Sequence, residues 1–169
     1  MKKRGFTLIE LLVVIAILAI LITLGSKGLR NARISAKKAQ AMVEMKSIET
    51  AIKAYISKYG KLPVIDALQG NPEPTFDAVF SQETIRILIG EDLTWNPAGM
   101  VFIEQQGSAT NGVFLDPWGE QYLIALDTDY DGQVDFGQNT IRRKIALRAD
   151  GLYKLGGEED TNHQIKSWE

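Results

Sequence analysis

The sequence predicts an α+β fold: a long N-terminal α-helix, membrane-spanning in its first half and amphipathic in its second, packed on a small antiparallel β-sheet. Three observations carry this. An apolar run fills Phe6 to Leu24. Apolar and small residues then recur at helical spacing as far as Tyr59. From Gly99 onward, short runs of β-forming residues alternate with turn residues.

The apolar run would span about 28 Å as a helix, close to the ~30 Å of a bilayer's hydrocarbon core. A secretory signal is shorter and ends in a small-residue cleavage site, and a core helix greasy on all sides does not suit a small domain. A membrane span is therefore expected. Glu10 interrupts it. A lone acid inside a lipid-spanning helix costs roughly 2.5–3.5 kcal/mol, so its expected partner lies on another molecule. Lys2, Lys3 and Arg4 precede the run, and Lys27, Arg30, Arg33, Lys37 and Lys38 follow it. Charge counting thus leaves the orientation open.

Beyond the run, Ala32, Ala36, Ala39, Val43, Ile48, Ile52, Tyr55, Ile56 and Tyr59 continue the helical spacing. One helix is expected from Phe6 to Tyr59, stopped by Gly60 with Pro63 behind it. Gly25 and Gly28 are weak points, at about 1 kcal/mol each relative to Ala. Residues 60–75 read as a loop, and Ser81 to Ile89 as a short helix with Ser81 as N-cap. Strands are expected at Met100–Glu104, Gln121–Asp127, Arg142–Arg148 and Leu152–Leu155. The expected organisation is a leader at 1–5, a membrane or filament-core helix at 6–25, an amphipathic helix at 26–59 and a globular α/β-loop and sheet domain at 60–169.

Composition narrows the function. The chain has 169 residues, a net charge of −2, no cysteine and one histidine, His163. Disulfides, thiol chemistry and multi-histidine metal sites are excluded, and no nucleic-acid partner is expected. There is no nucleophile–base set and no Gly-rich phosphate loop, so no enzyme is expected. His163 receives no role, and Trp95, Trp118 and Trp168 read as core or interface aromatics.

The segment Arg4-Gly5-Phe6-Thr7-Leu8-Ile9-Glu10 resembles the class III signal of type IV pilins and type II secretion pseudopilins. The resemblance implies cleavage between Gly5 and Phe6 by a prepilin peptidase and N-methylation of Phe6. It also implies a single-pass protein of the bacterial inner membrane, with its N-terminus cytoplasmic and its globular domain periplasmic. Glu10 would then pair in the filament with the Phe6 amine of a neighbour, each charge compensating the other.

Asp116-Pro117-Trp118-Gly119 is a turn by its chemistry: Pro second, Gly fourth, Asp placed to accept from the turn amides. With Tyr122, Ala149-Asp150-Gly151 and the Ile165-Lys166-Ser167-Trp168 ending, it is similar to the major, G-type pseudopilin of type II secretion. The function implied is a structural subunit that polymerises into a periplasmic pseudopilus. Its implied partners are its own homopolymer, minor pseudopilins, prepilin peptidase, the inner-membrane assembly platform with its ATPase, and the membrane. The alternative is a major or minor pilin of a type IV pilus, for adhesion, motility or DNA uptake.

Asp127, Asp129, Asp131 and Asp135, with Gly132, follow the D-x-D-x-D-G-x-x-D spacing of a calcium loop. Gln138 stands where an EF-hand carries its bidentate Glu, and strands rather than helices flank the loop. Two readings stand: a calcium loop completed by other oxygens, and a solvated acidic turn at Asp131-Gly132. The resemblance to a calcium-binding family favours calcium.

Overall fold

The computed structural model describes residues 7–71, 78–104, 112–136, 139–151 and 164–168, with backbone alone at 23–28, 30, 67, 78–79 and 139. The chain divides into two compact units, Met1–Lys37 and Lys38–Glu169. Helix α1 runs over Leu8–Tyr59, helical through Gly25 and Gly28. In the first unit its side chains from Thr7 to Ile22 are exposed all round, with Leu8 83% and Ile22 71% accessible. Among the described residues no helix is long and apolar enough to cross a membrane. Both ends of the predicted span, Phe6 and the side chains of Thr23 and Leu24, lie outside them.

In the second unit α1 is amphipathic. Ala41, Met45, Ile48, Ile52 and Tyr55 are buried at successive three- and four-residue steps. This is not the whole stripe expected from the sequence: Ala32, Ala36, Ala39 and Val43 are exposed, Val43 at 70%. A helix with small residues on two sides does not declare which side is covered. Gly60 ends α1 as expected, at φ 71°, its amide donating to the Ile56 carbonyl at 2.8 Å.

Helix α2, Ala78–Leu88, begins before the expected start. Ser81 is therefore no N-cap. It is buried inside the helix, and its hydroxyl oxygen accepts the Ile124 amide of the sheet at 2.9 Å. Met100–Glu104 is not a strand. The amide and carbonyl of Met100 are both taken by the buried Asn96 side chain, at 3.1 and 2.7 Å. Asn96 also accepts the Tyr59 hydroxyl at 2.7 Å.

Strands β1 (Leu123–Leu126), β4 (Ile145–Ala149) and β5 (Ile165–Lys166) form an antiparallel sheet in the order β1-β4-β5. Strands β2 (Val134–Phe136) and β3 (Asn139–Ile141) form a separate antiparallel pair. Leu152–Leu155 lies outside the described residues.

Alternation across β1 and β4 makes the sheet two-sided. Ile124, Leu126, Ile145 and Leu147 join α1 and α2 in the main core. Ala125 and Ala146, cross-strand partners, face a second core with Val134, Phe136 and Ile141, which Trp168 covers. The alanine pair leaves room for the β2–β3 pair to lie close. Arg148 sits 4.6 Å over the Phe136 ring and pairs with Asp150 at 2.8 Å.

Two buried tyrosines tie α1 into the unit. Tyr55 donates to the Trp95 carbonyl, and Tyr122 donates to Glu44, both at 2.6 Å. Burial pushes the Tyr55 phenol up to about 12, with the nearby Tyr59, Asp66 and Asp92 adding to the shift. Burial, then the Glu44 carboxylate, pushes Tyr122 up as well. Raised folded pKa values mean that this stability is complete below the unfolded value of 10.0 and is lost as pH rises above it. Urea midpoints should hold from pH 8 to 9 and fall steadily between about pH 10 and 12; a flat alkaline profile would contradict these burials.

Candidate functional site

The cleavage residues Gly5 and Phe6 lie outside the described residues. Glu10 does not stand alone. Its Oε2 accepts the Thr7 amide at 2.9 Å and the Thr7 hydroxyl at 2.6 Å, while the Glu10 amide donates back to Thr7 Oγ1 at 3.3 Å. This is a capping box, in which a Thr and a Glu three residues apart satisfy each other's orphan amides at a helix start. This local partner stands beside the one expected on another molecule. The Thr7-x-x-Glu10 spacing already announced a local one.

The acidic loop leaves β1 at Asp127 and enters β2 at Val134. Asp127 is buried at 1% accessibility, its amide donating to the Lys144 carbonyl at 3.0 Å. Its Oδ2 accepts the Gly132 amide at 3.1 Å, while its buried Oδ1 has no hydrogen-bond partner among the described residues. Carboxylate oxygens of Asp127, Asp129 and Asp131 lie within 4.8 Å of one another. The turn needs positive φ at Tyr130 (64°) and Gly132 (85°). Asp129 accepts the Asp131 amide at 3.3 Å, and Asp131 accepts the Gln133 amide at 2.7 Å.

Asp135 is not in this group. It lies exposed on β2 opposite Thr140, whose hydroxyl it accepts at 2.7 Å.

The segment after α1 braces the loop. Gly70 donates its amide to the Thr128 carbonyl at 2.6 Å, Thr128 donates its hydroxyl to the Asn71 carbonyl at 3.1 Å, and the Tyr130 hydroxyl donates to Gln69 Oε1 at 2.6 Å. Gln69 in turn donates to the Leu62 carbonyl at 2.8 Å. No sequence signal pairs Gln69 with Tyr130, because the contact joins distant parts of the chain. An orphaned buried carboxylate oxygen beside two more carboxylates is an all-oxygen donor set of the kind a hard divalent cation takes.

The Asp116 turn forms as expected. Gly119 donates its amide to the Asp116 carbonyl at 2.9 Å. The Asp116 carboxylate, 4% accessible, accepts the amides of Trp118 at 2.9 Å, Glu120 at 3.0 Å and Gly151 at 2.8 Å. It thereby fastens the turn to the end of β4.

Comparison with known proteins finds no match among curated proteins and none among solved structures. Residues 1–26 match the family model N_methyl, the prokaryotic N-terminal methylation motif. The motif supports a type IV pilin-like family and indicates a prepilin-type substrate, which fits membrane anchoring through the N-terminal segment.

Proposed function

We propose that the chain is a pseudopilin, a non-catalytic structural subunit that polymerises into the pseudopilus of a type II secretion system. The observation that carries this reading is the methylation motif at residues 1–26, which runs into a helix whose apolar side chains from Leu8 to Ile22 are exposed on every side. Such a surface needs lipid or other copies of itself. Prepilin peptidase cleaves between Gly5 and Phe6, and Phe6 is methylated. The subunit waits in the inner membrane as a single-pass protein, spanning at Phe6–Leu24, with its N-terminus cytoplasmic and its globular unit periplasmic. An assembly platform and its ATPase then draw it into a filament alongside minor pseudopilins. The Asp116-Pro117-Trp118-Gly119 turn favours the G-type subunit over a type IV pilus pilin. Calcium held by Asp127, Asp129 and Asp131 orders the loop between the two cores.

Glu10 serves assembly by pairing its charge with the Phe6 amine of a neighbour. The Glu10→Gln variant separates this from capping, because Gln also completes a capping box. In cells overexpressing the chain, electron microscopy should find filaments with native Glu10 and none with Glu10→Gln, while membrane insertion is unchanged. Normal filaments from Glu10→Gln would reject the charge-pairing role. A strictly monomeric native chain would reject the filament reading.

A further inference from the structure

A cleft of about 90 Å³ opens between the segment after α1 and helix α2. Ile65, Leu68, Phe80, Ile87 and Trp95 give it an apolar lining. Its charged residues are Glu83, Arg86 and Asp92. Arg86 lies 3.7 Å from Glu91, and with Glu83 and Asp92 the acids outnumber it three to one, which leaves the cleft's rim net negative. Ile65, at its lip, is 38% accessible.

The second unit also carries the complement of this cleft. On α1, Lys38, Met42 and Lys46 lie at i, i+4 and i+8, one above the other along a single exposed face. Met42 is 45% accessible. Among the described residues Lys46 pairs with Glu49 alone, at 69% side-chain exposure, a contact of little worth. An unbranched thioether between two cations, one helical turn to either side, suits an apolar slot whose lining carries two acids.

We propose that this cleft receives Met42 of a second copy of the chain, with Lys38 and Lys46 of that copy seated against Glu83 and Asp92. Slot and row are different surfaces of one chain. The contact is therefore heterologous, leaves a free slot at one end and a free row at the other, and propagates into an open polymer. The proposal rests on the filament reading above and names the side chains that would set the stagger between neighbours.

The chain has no cysteine, which makes disulfide trapping clean. The full chain carrying both Met42→Cys and Ile65→Cys is expressed in cells, oxidised and run on a non-reducing gel, with filaments scored by electron microscopy. A ladder of trimers and higher species is expected from the double variant, and dimers at most from either single variant. Filaments without a ladder overturn this contact while leaving the filament reading in place. Neither filaments nor ladder overturns both. Adding Glu83→Lys and Asp92→Lys should weaken the ladder about tenfold, and further adding Lys38→Glu and Lys46→Glu should restore it. A ladder indifferent to these reversals would also overturn the contact.

Discussion

Replacing Asp116 with Ala is expected to lower the unfolding free energy by about 3–5 kcal/mol. Three amides, of Trp118, Glu120 and Gly151, donate to this one buried carboxylate, the Gly151 bond buried and the other two part-buried. Hydrogen bonds to a charged acceptor contribute about 1.5–3 kcal/mol each, and buried donors left unpaired add their own cost. Relaxation of the turn returns part of the full sum. Asp116→Asn should cost less, since one oxygen remains, but its amide group would face backbone N–H groups and repel them. Urea unfolding of a fragment starting at Ser26 measures both; a loss under about 1 kcal/mol for Asp116→Ala would mean that the turn carries itself. Gly151→Ala probes the same junction from the other side. A Cβ there would lie 2.5 and 2.6 Å from the Asp116 oxygens and 2.6 Å from Trp118 Cβ. Substitutions at 116 and 151 should therefore be far from additive.

Chelating calcium is expected to lower the melting midpoint of the same fragment by roughly 5–10 °C. A cation present at about 100 times its dissociation constant stabilises by about 2.7 kcal/mol, and each kcal/mol moves the midpoint by about 2–4 °C in a domain of this size. Asp127→Asn should abolish the response, because it removes the charge of the group's buried member, whose Oδ1 has no hydrogen-bond partner among the described residues. Asp135→Asn should keep it, because that carboxylate is engaged with Thr140. A fragment that melts at one temperature with calcium and with chelator would identify the loop as a solvated acidic turn.

What could be read ahead of the structure was local chemistry. The end of α1 at Gly60 needed one residue able to adopt positive φ, and the Asp116 turn needed four residues in order. Thr7-x-x-Glu10 was equally local, but an apolar run draws attention to lipid rather than to capping. What stayed hidden depends on partners far along the chain. Ser81 resembles a cap until the sheet supplies the Ile124 amide. Met100–Glu104 has strand composition, yet Asn96 takes the amide and carbonyl of Met100 and the Phe102 amide donates to the Leu88 carbonyl. The β2–β3 pair is short, and its place depends on Ala125 and Ala146 meeting across two strands, which neither strand shows by itself. In the acidic loop the spacing named four carboxylates, and the backbone brought three together, because residues after Val134 belong to the ladder.

The capping box also bears on the entropy of docking. Both bonds from Thr7 fall on Oε2 of Glu10, so the side chain is held by one oxygen while the other retains its lone pairs. A free glutamate would lose up to about 1.5–2 kcal/mol of rotamer freedom when a cation immobilised it. In the filament proposed above that freedom would already be surrendered inside a single subunit, and an arriving amine would meet a pre-organised acceptor. Thr7 would then tune how tightly subunits dock, through the rotamer freedom it has already removed from Glu10.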